Sequence, residues 1–98
     1  MYEQSNYSGG DGSSFEQAIR IELDDSDRGV EAEYEYLAFR FDGHYEHISQ
    51  ALVENGEFKY DVHQIVLPGG RNEEKIYFDI TRFFGKGLED FLDDFLKE

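Results

Sequence analysis

The sequence has no cysteine and no tryptophan, and it has only one proline and one methionine. Without cysteine, the chain can form neither a disulfide bond nor a cysteine-ligated metal site. This composition fits a reducing compartment. The sequence also lacks an apolar run long enough for a signal peptide or a transmembrane helix. We therefore expect a cytoplasmic protein that does not contact the membrane.

Basic residues are scarce as well, with nine Lys and Arg against 23 Asp and Glu, and the formal net charge is −14. Nucleic-acid binding needs Lys and Arg to contact phosphates, so we expect no nucleic-acid partner. An acidic surface instead attracts a basic protein and speeds association at low salt. Solubility alone is a second explanation for the charge.

The length of 98 residues predicts one domain. Hydrophobic residues make up 39% of the chain, and seven Tyr and nine Phe argue against disorder. We divide the sequence into a flexible, Gly/Ser-rich N-terminal segment (1–12), a single α+β domain (13–86) and a C-terminal amphipathic helix (87–98).

The clearest local signal is a predicted three-stranded meander from Ile48 to Ile80. Asn55 and Gly56 lie between two strand-like segments, and both residue types tolerate the positive φ of a two-residue hairpin turn. This turn would pair Val53 with Phe58.

Side chains alternate between the two faces of a strand, so this register assigns each residue to a face. Face A, which is mostly apolar, carries Ser49, Ala51, Val53, Phe58, Tyr60 and Val62. Face B carries Ile48, Gln50, Leu52, Lys59, Asp61 and His63. The third strand, 74–80, is predicted to add Ile76, Phe78 and Ile80 to face A.

Two further elements precede the meander. Ala18 to Leu23 alternates as a half-buried strand. A helix capped by Asp25 or Ser26 then runs to about Phe41, with a predicted apolar stripe of Val30, Tyr34, Leu37, Ala38 and Phe41. The predicted fold class is therefore α+β, a four-stranded antiparallel sheet in β-α-β-β-β-α order. One helix packs across face A, a C-terminal amphipathic helix follows, and the strand order stays open.

The polar-site candidates are His47 and three residues of face B: Gln50, Asp61 and His63. A carboxylate beside a histidine can raise its pKa and suit it to acid–base chemistry, but no Ser or Cys nucleophile accompanies them. A zinc site formed by His44, His47 and His63 would require His47 to turn onto the opposite face. We therefore predict no catalytic residue, no metal and no cofactor.

Two surfaces are candidates for partner binding. The first is the acidic side of the predicted helix, with Asp27, Glu31 and Glu35, which suits a basic protein. The second is the apolar stripe of the tail helix, which would allow a homodimer. Its residues are Leu88, Phe91, Leu92, Phe95 and Leu96.

Three segments, taken together, resemble segments of known proteins. They are Gly9-Gly-Asp-Gly-Ser-Ser-Phe-Glu16, Gly29-Val-Glu-Ala-Glu-Tyr34, and Tyr77-Phe-Asp-Ile80 leading into Phe83-Phe-Gly-Lys86. The set resembles a group of small uncharacterised bacterial proteins or domains, over about residues 7 to 86. The resemblance implies no activity.

These observations favour an acidic protein-binding or inhibitor module, similar in kind to an immunity protein. A self-associating structural domain that uses the C-terminal helix is the alternative. A small ligand-binding domain or an enzyme that uses Asp61 and His63 is less favoured.

Overall fold

The computed structural model describes residues 3–69 and 72–84. A short 3-10 turn, Gln4–Asn6, comes first. The strands and the helix that follow are β1 (Tyr7–Gly9), β2 (Ile19–Ile21), α1 (Ser26–Arg40), β3 (Glu46–Asn55), β4 (Phe58–Val66) and β5 (Glu73–Asp79).

The protein is α+β, but its sheet has five strands and is mixed, in the order β1-β2-β5-β4-β3. The prediction of a four-stranded antiparallel sheet was therefore wrong in two respects. Strand β1 lies in the segment expected to be flexible, where it pairs antiparallel with β2. Strand β2 runs parallel to β5, with Ile19 opposite Phe78. A parallel pair needs a long connection, and here α1 and the β3–β4 hairpin provide it.

The β3–β4 hairpin is present, but its turn lies one residue later than predicted. Asn55 pairs with Phe58, so Val53 faces Tyr60 rather than Phe58, and the two-residue loop is Gly56-Glu57. Gly56 has φ +66° and Asn55 is not in the positive-φ region, which is typical of a type II′ turn.

The shifted register also replaces a repulsive pair by an attractive one. The predicted turn placed Glu54 opposite Glu57, whereas Glu54 now pairs with Lys59. Their charged groups lie 3.5 Å apart. Because each strand partner moves by two positions, the hairpin side chains from Ser49 to His63 keep their predicted faces.

The helix packs on face B, not on face A. Ile76 and Phe78 pair with His63 and Asp61 and therefore also lie on face B, contrary to the prediction. The physical reason is the parallel neighbour β2, because its buried Ile19 and Ile21 complete an apolar surface on that side. The buried hydrophobic core comprises Ile19, Ile21, Leu23, Ala32, Leu37, Ile65, Ile76, Phe78, Ile80 and Phe83.

Face A has no helix over it within the described residues. Phe15 covers part of it, with its ring centroid 4.9 Å from that of Tyr60 and 5.0 Å from that of Tyr77. The remaining part of face A stays open to solvent as a shallow depression of about 300 Å³.

The start of α1 is as predicted. Asp25 has extended backbone angles, and its side chain accepts hydrogen bonds from the amides of Asp27 and Arg28. This is a regular N-cap. The buried face of α1, however, is displaced from the predicted stripe. It consists of Gly29, Ala32, Glu33 and Leu37. Val30 and Tyr34 are partly exposed at 39% and 38%.

Gly29 allows α1 to approach the segment after β5. A Cβ atom at this position would lie 2.3 Å from the ring of Phe83, which is itself 2% exposed. Any side chain here would therefore force Phe83 to move.

The predicted C-terminal helix (87–98) lies outside the described residues. Within residues 3–69 and 72–84, no helix is long and apolar enough to cross a membrane.

Candidate functional site

A group of six polar side chains meets where α1 crosses β3 and β4, and we call it the polar cluster. Its members are Glu33, Tyr34, His47, Gln50, Asp61 and His63. The structure thus brings together all four polar-site candidates from the sequence. Glu33 and Tyr34 were not predicted as site residues.

A β-bulge in β3 places His47 in this cluster. His47 pairs with Ile65 and Ser49 pairs with Gln64, so Ile48 is an extra residue with no partner of its own. Because one inserted residue reverses the alternation, His47 lies on the same side of the sheet as His63. The bulge therefore supplies the change of face that the predicted alternation of β3 required before His47 could meet His63.

Three of the side chains form a linear chain of hydrogen bonds. Nε2 of His63 lies 2.8 Å from Oε1 of Glu33, and Nδ1 of His63 lies 2.9 Å from Nε2 of His47. Both nitrogens of His63 are therefore engaged. Glu33 and His63 are fully buried, whereas His47 is half-buried. The chain runs from the interior of the protein towards its surface.

Burial sets the protonation of the central pair. Burial first, and then the neighbouring Asp61 carboxylate, raise the pKa of Glu33 from 4.5 to about 10. Burial and the nearby His47 lower the pKa of His63 from 6.5 to about 4. Both side chains are therefore neutral at pH 7, because a low-dielectric interior disfavours the charged form of each.

Asp61 faces the same carboxyl group from β4. Oε2 of Glu33 is buried and has no hydrogen-bond partner within the described residues. Asp61 is also an acceptor, so the two carboxyl groups can be joined only if one of them holds a proton or if a cation lies between them. This buried carboxyl pair is the least satisfied part of the polar cluster.

A second hydrogen-bond branch holds Asp61 in place. The hydroxyl of Tyr34 donates to Oε1 of Gln50 at 2.7 Å, and Nε2 of Gln50 donates to Oδ2 of Asp61 at 3.2 Å. The ring of Tyr34 also packs edge-on against His63, with 5.1 Å between centroids. Burial, and then the negative charge of its neighbours, raise the pKa of Tyr34, so its hydroxyl stays a donor.

The cluster is suited to holding a proton or a small ion. Glu33, Asp61 and His63 each present one possible ligand atom, and these atoms lie within 4.8 Å of one another. Their exposures are 0%, 6% and 0%, so an organic substrate cannot reach them in this conformation. Acid–base catalysis needs contact with the reacting atoms, and this geometry does not offer it.

The three predicted acidic partner-binding residues lie on one side of α1, at i, i+4 and i+8. Asp27 and Glu31 are exposed on the outer side of α1. Glu35 is half-buried, and together with Glu31 it borders a groove of about 200 Å³ that also contains Glu3 and Arg28. The tail candidates Leu88, Phe91, Leu92 and Phe95 lie outside the described residues.

Comparison with known proteins adds nothing to this description. No family model matches the chain, and no match was found among curated proteins or solved structures. The resemblance to small bacterial proteins therefore stays a prediction.

One sequence signal could have identified Glu33. It falls on the same helical face as Gly29 and Leu37, at i, i+4 and i+8.

Proposed function

We propose that this protein binds a basic protein partner at the seam between α1 and β3. The observation that supports the proposal best is a set of exposed apolar side chains at this seam. Val30 and Tyr34 of α1 are 39% and 38% exposed, and Leu52 of β3 is 51% exposed. An apolar centre within a polar rim is the usual anatomy of a protein interface.

The two elements of the seam are connected directly. The hydrogen bond from Tyr34 to Gln50 joins α1 to β3, and Leu52 follows Gln50 on the same face. Val30 lies one helical turn before Tyr34. These contacts support a continuous surface rather than isolated exposed residues.

Acidic residues border this surface and explain the preference for a basic partner. Asp27 and Glu31 lie on the same side of α1 as Val30 and Tyr34, at i, i+4, i+3 and i+7. The net charge of −14 adds a long-range attraction for a basic protein. Such a surface favours fast, salt-dependent association and repels a second copy of itself.

Strand β3 offers a further contact for the partner. It is an edge strand of ten residues, and in the described sheet only β4 pairs with it. Its outer backbone groups can accept an added strand, which is a common mode of protein recognition. The bulge at Ile48 interrupts this edge and limits strand addition to the residues that follow it.

The experiment is a capture assay on a panel of purified basic proteins, including basic nucleases, at low and high salt. Leu52→Ser should weaken capture of a partner about tenfold or more, because truncating a central apolar contact typically costs over 1 kcal/mol. Phe39→Ser is the matched control, since Phe39 is 63% exposed on α1 and, five residues after Tyr34, points to a different side of the helix. Binding that ignores salt, or equal loss in both variants, would contradict the proposal.

Self-association through the predicted tail helix is the second candidate, and the apolar stripe that the sequence predicts from Leu88 to Leu96 favours it. Its test is native mass before and after removal of all residues beyond Gly85. A dimer that becomes a monomer supports self-association. A monomer in both cases rules it out.

A further inference from the structure

We propose that Glu33, Asp61 and His63 form a binding site for a divalent first-row transition metal such as Zn²⁺. The inference goes beyond protein binding and rests on other residues. Three ligand-type atoms from α1 and β4 lie within 4.8 Å of one another, on side chains that are almost completely buried. Two carboxylate oxygens and one imidazole nitrogen are among the ligands that Zn²⁺ takes in proteins.

The unpartnered oxygen of Glu33 points to a ligand independently of the cluster. Buried polar atoms nearly always have a hydrogen-bond partner, and Oε2 of the fully buried Glu33 has none within the described residues. In the metal-free protein a proton on Glu33 can be shared with the neighbouring Asp61, which is an acceptor. A cation between the two carboxylates satisfies both of them at once.

All pairs of ligand-type atoms lie within 4.8 Å of one another, so the widest pair needs to approach by at most about 1.5 Å to hold an ion. Ligand atoms about 2.0–2.2 Å from a tetrahedral ion are roughly 3.3 Å from each other. Oε1 of Glu33 and Nε2 of His63 lie 2.8 Å apart, so they need to separate by only a fraction of an ångström.

The surrounding residues provide the outer support that metal ligands require. A ligating histidine normally donates its other N–H to a nearby acceptor, which fixes its orientation. With Nε2 of His63 on the metal, Nδ1–H donates to Nε2 of His47 across the 2.9 Å contact. Gln50 supports Asp61 in the same way and is itself held by Tyr34.

The ligand set selects the class of metal. Ca²⁺ and Mg²⁺ prefer sites built entirely from oxygen atoms, whereas imidazole favours Zn²⁺ and its transition-metal neighbours. Three protein ligands leave one position on a tetrahedral ion for a fourth ligand. Because the three ligands come from α1 and β4, the ion would join these two elements.

The test uses the full chain after removal of metal with EDTA. Zn²⁺ is titrated by calorimetry, and Co²⁺ serves as a second probe because its visible absorption reports coordination. Wild-type protein should bind one Zn²⁺ saturably, and Co²⁺ should give the absorption of a tetrahedral nitrogen–oxygen site. Glu33→Gln and Asp61→Asn should each weaken binding at least tenfold and abolish the cobalt band, since loss of even an outer supporting residue typically costs 10–100-fold.

Matched controls separate this site from the acidic surface. Glu57→Gln removes one exposed carboxylate in the hairpin turn, and His44→Gln removes one exposed imidazole. Both variants should bind Zn²⁺ as the wild type does. A thermal shift with Zn²⁺ in the wild type that disappears in Glu33→Gln would support the site without reference to any partner.

Two outcomes would overturn the proposal. One is the absence of saturable Zn²⁺ binding at millimolar metal, in which case the two carboxyl groups simply share a proton. The other is equal binding in Glu33→Gln, Asp61→Asn and Glu57→Gln, which would mean that scattered surface carboxylates bind the ion. Either result leaves the α1–β3 binding surface unaffected, because that test involves no metal.

Discussion

Replacing Glu33 by Gln in the metal-free protein should change how stability depends on pH. Glutamine has nearly the same shape as a protonated glutamate, but it has no proton to lose. Glu33 is fully buried, and its pKa is raised to about 10 from 4.5. The folded state therefore holds a proton on Glu33 that the unfolded state releases between these two pH values.

The sign of the effect follows from proton linkage. The contribution of Glu33 is fully present below pH 4.5 and is lost as the pH rises towards about 10. His63 acts in the opposite direction, because its pKa falls from 6.5 to about 4 on folding. Its contribution is present above pH 6.5 and is lost as the pH falls towards 4. The effects of Glu33 and His63 on the pH dependence of the unfolding free energy have opposite signs and cancel between about pH 4.5 and 6.5. Above that range only the effect of Glu33 remains.

This slope is large compared with the stability of a small domain. One proton corresponds to about 1.4 kcal/mol for each pH unit. The free energy of unfolding of the wild type should therefore fall by about 3 kcal/mol between pH 7 and pH 9. Typical domains have only about 5–15 kcal/mol in total.

Glu33→Gln should remove this alkaline loss and expose the acid-side effect of His63. The variant should be more stable than the wild type at pH 9, and its stability should fall as the pH drops from 6.5 towards 4. Urea unfolding followed by far-ultraviolet circular dichroism between pH 5 and 9, with EDTA present, measures the free energy of unfolding on both the acid and the alkaline side. Glu57→Gln removes one carboxylate at an exposed site and controls for a general change in charge repulsion.

Parallel pH profiles for the wild type and Glu33→Gln would refute the reasoning. They would mean that Glu33 binds its proton equally well in the folded and unfolded states. Its pKa in the folded protein would then be that of an exposed carboxylate.

Three further substitutions test the fold by thermal or urea denaturation. Gly29→Ala should destabilise by about 1–2 kcal/mol, because the clash with Phe83 outweighs a gain of roughly 1 kcal/mol in helix propensity; a more stable variant would show that the ring moves freely. Gly56→Val should cost about 1 kcal/mol or more, since Gly56 has φ +66°, and unchanged stability would contradict the described turn. Asp25→Ala should cost about 1 kcal/mol through loss of the N-cap, and a neutral result would show that the cap contributes nothing.

Local features of the fold could be predicted from the sequence because neighbouring residues determine them. The alternation of Ile19 and Ile21 predicted β2, and Asp25 predicted the start of α1. Gly56 predicted a turn near the correct place, although the observed loop lies one residue later and pairs Glu54 with Lys59 instead of Glu57.

Long-range features could not be predicted in the same way. The side of the sheet that α1 covers depends on the pairing of β2 with β5, and no local pattern encodes that pairing. The four polar-site candidates were found because they lie on one hairpin. Glu33 was missed because a buried carboxylate contradicts the rule that charged residues face water. The bulge at Ile48 has no glycine to signal it.

The order of the strands also has a consequence for how the chain folds. The β3–β4 hairpin joins residues close in sequence, so His47, Asp61 and His63 can meet early. The pairing of Ile19 with Phe78 closes a loop that spans most of the domain and is expected to form slowly. Glu33 leaves water only when α1 docks on the assembled sheet. We therefore expect that refolding at neutral pH takes up a proton in its slowest phase, which a pH indicator in stopped-flow measurements would detect.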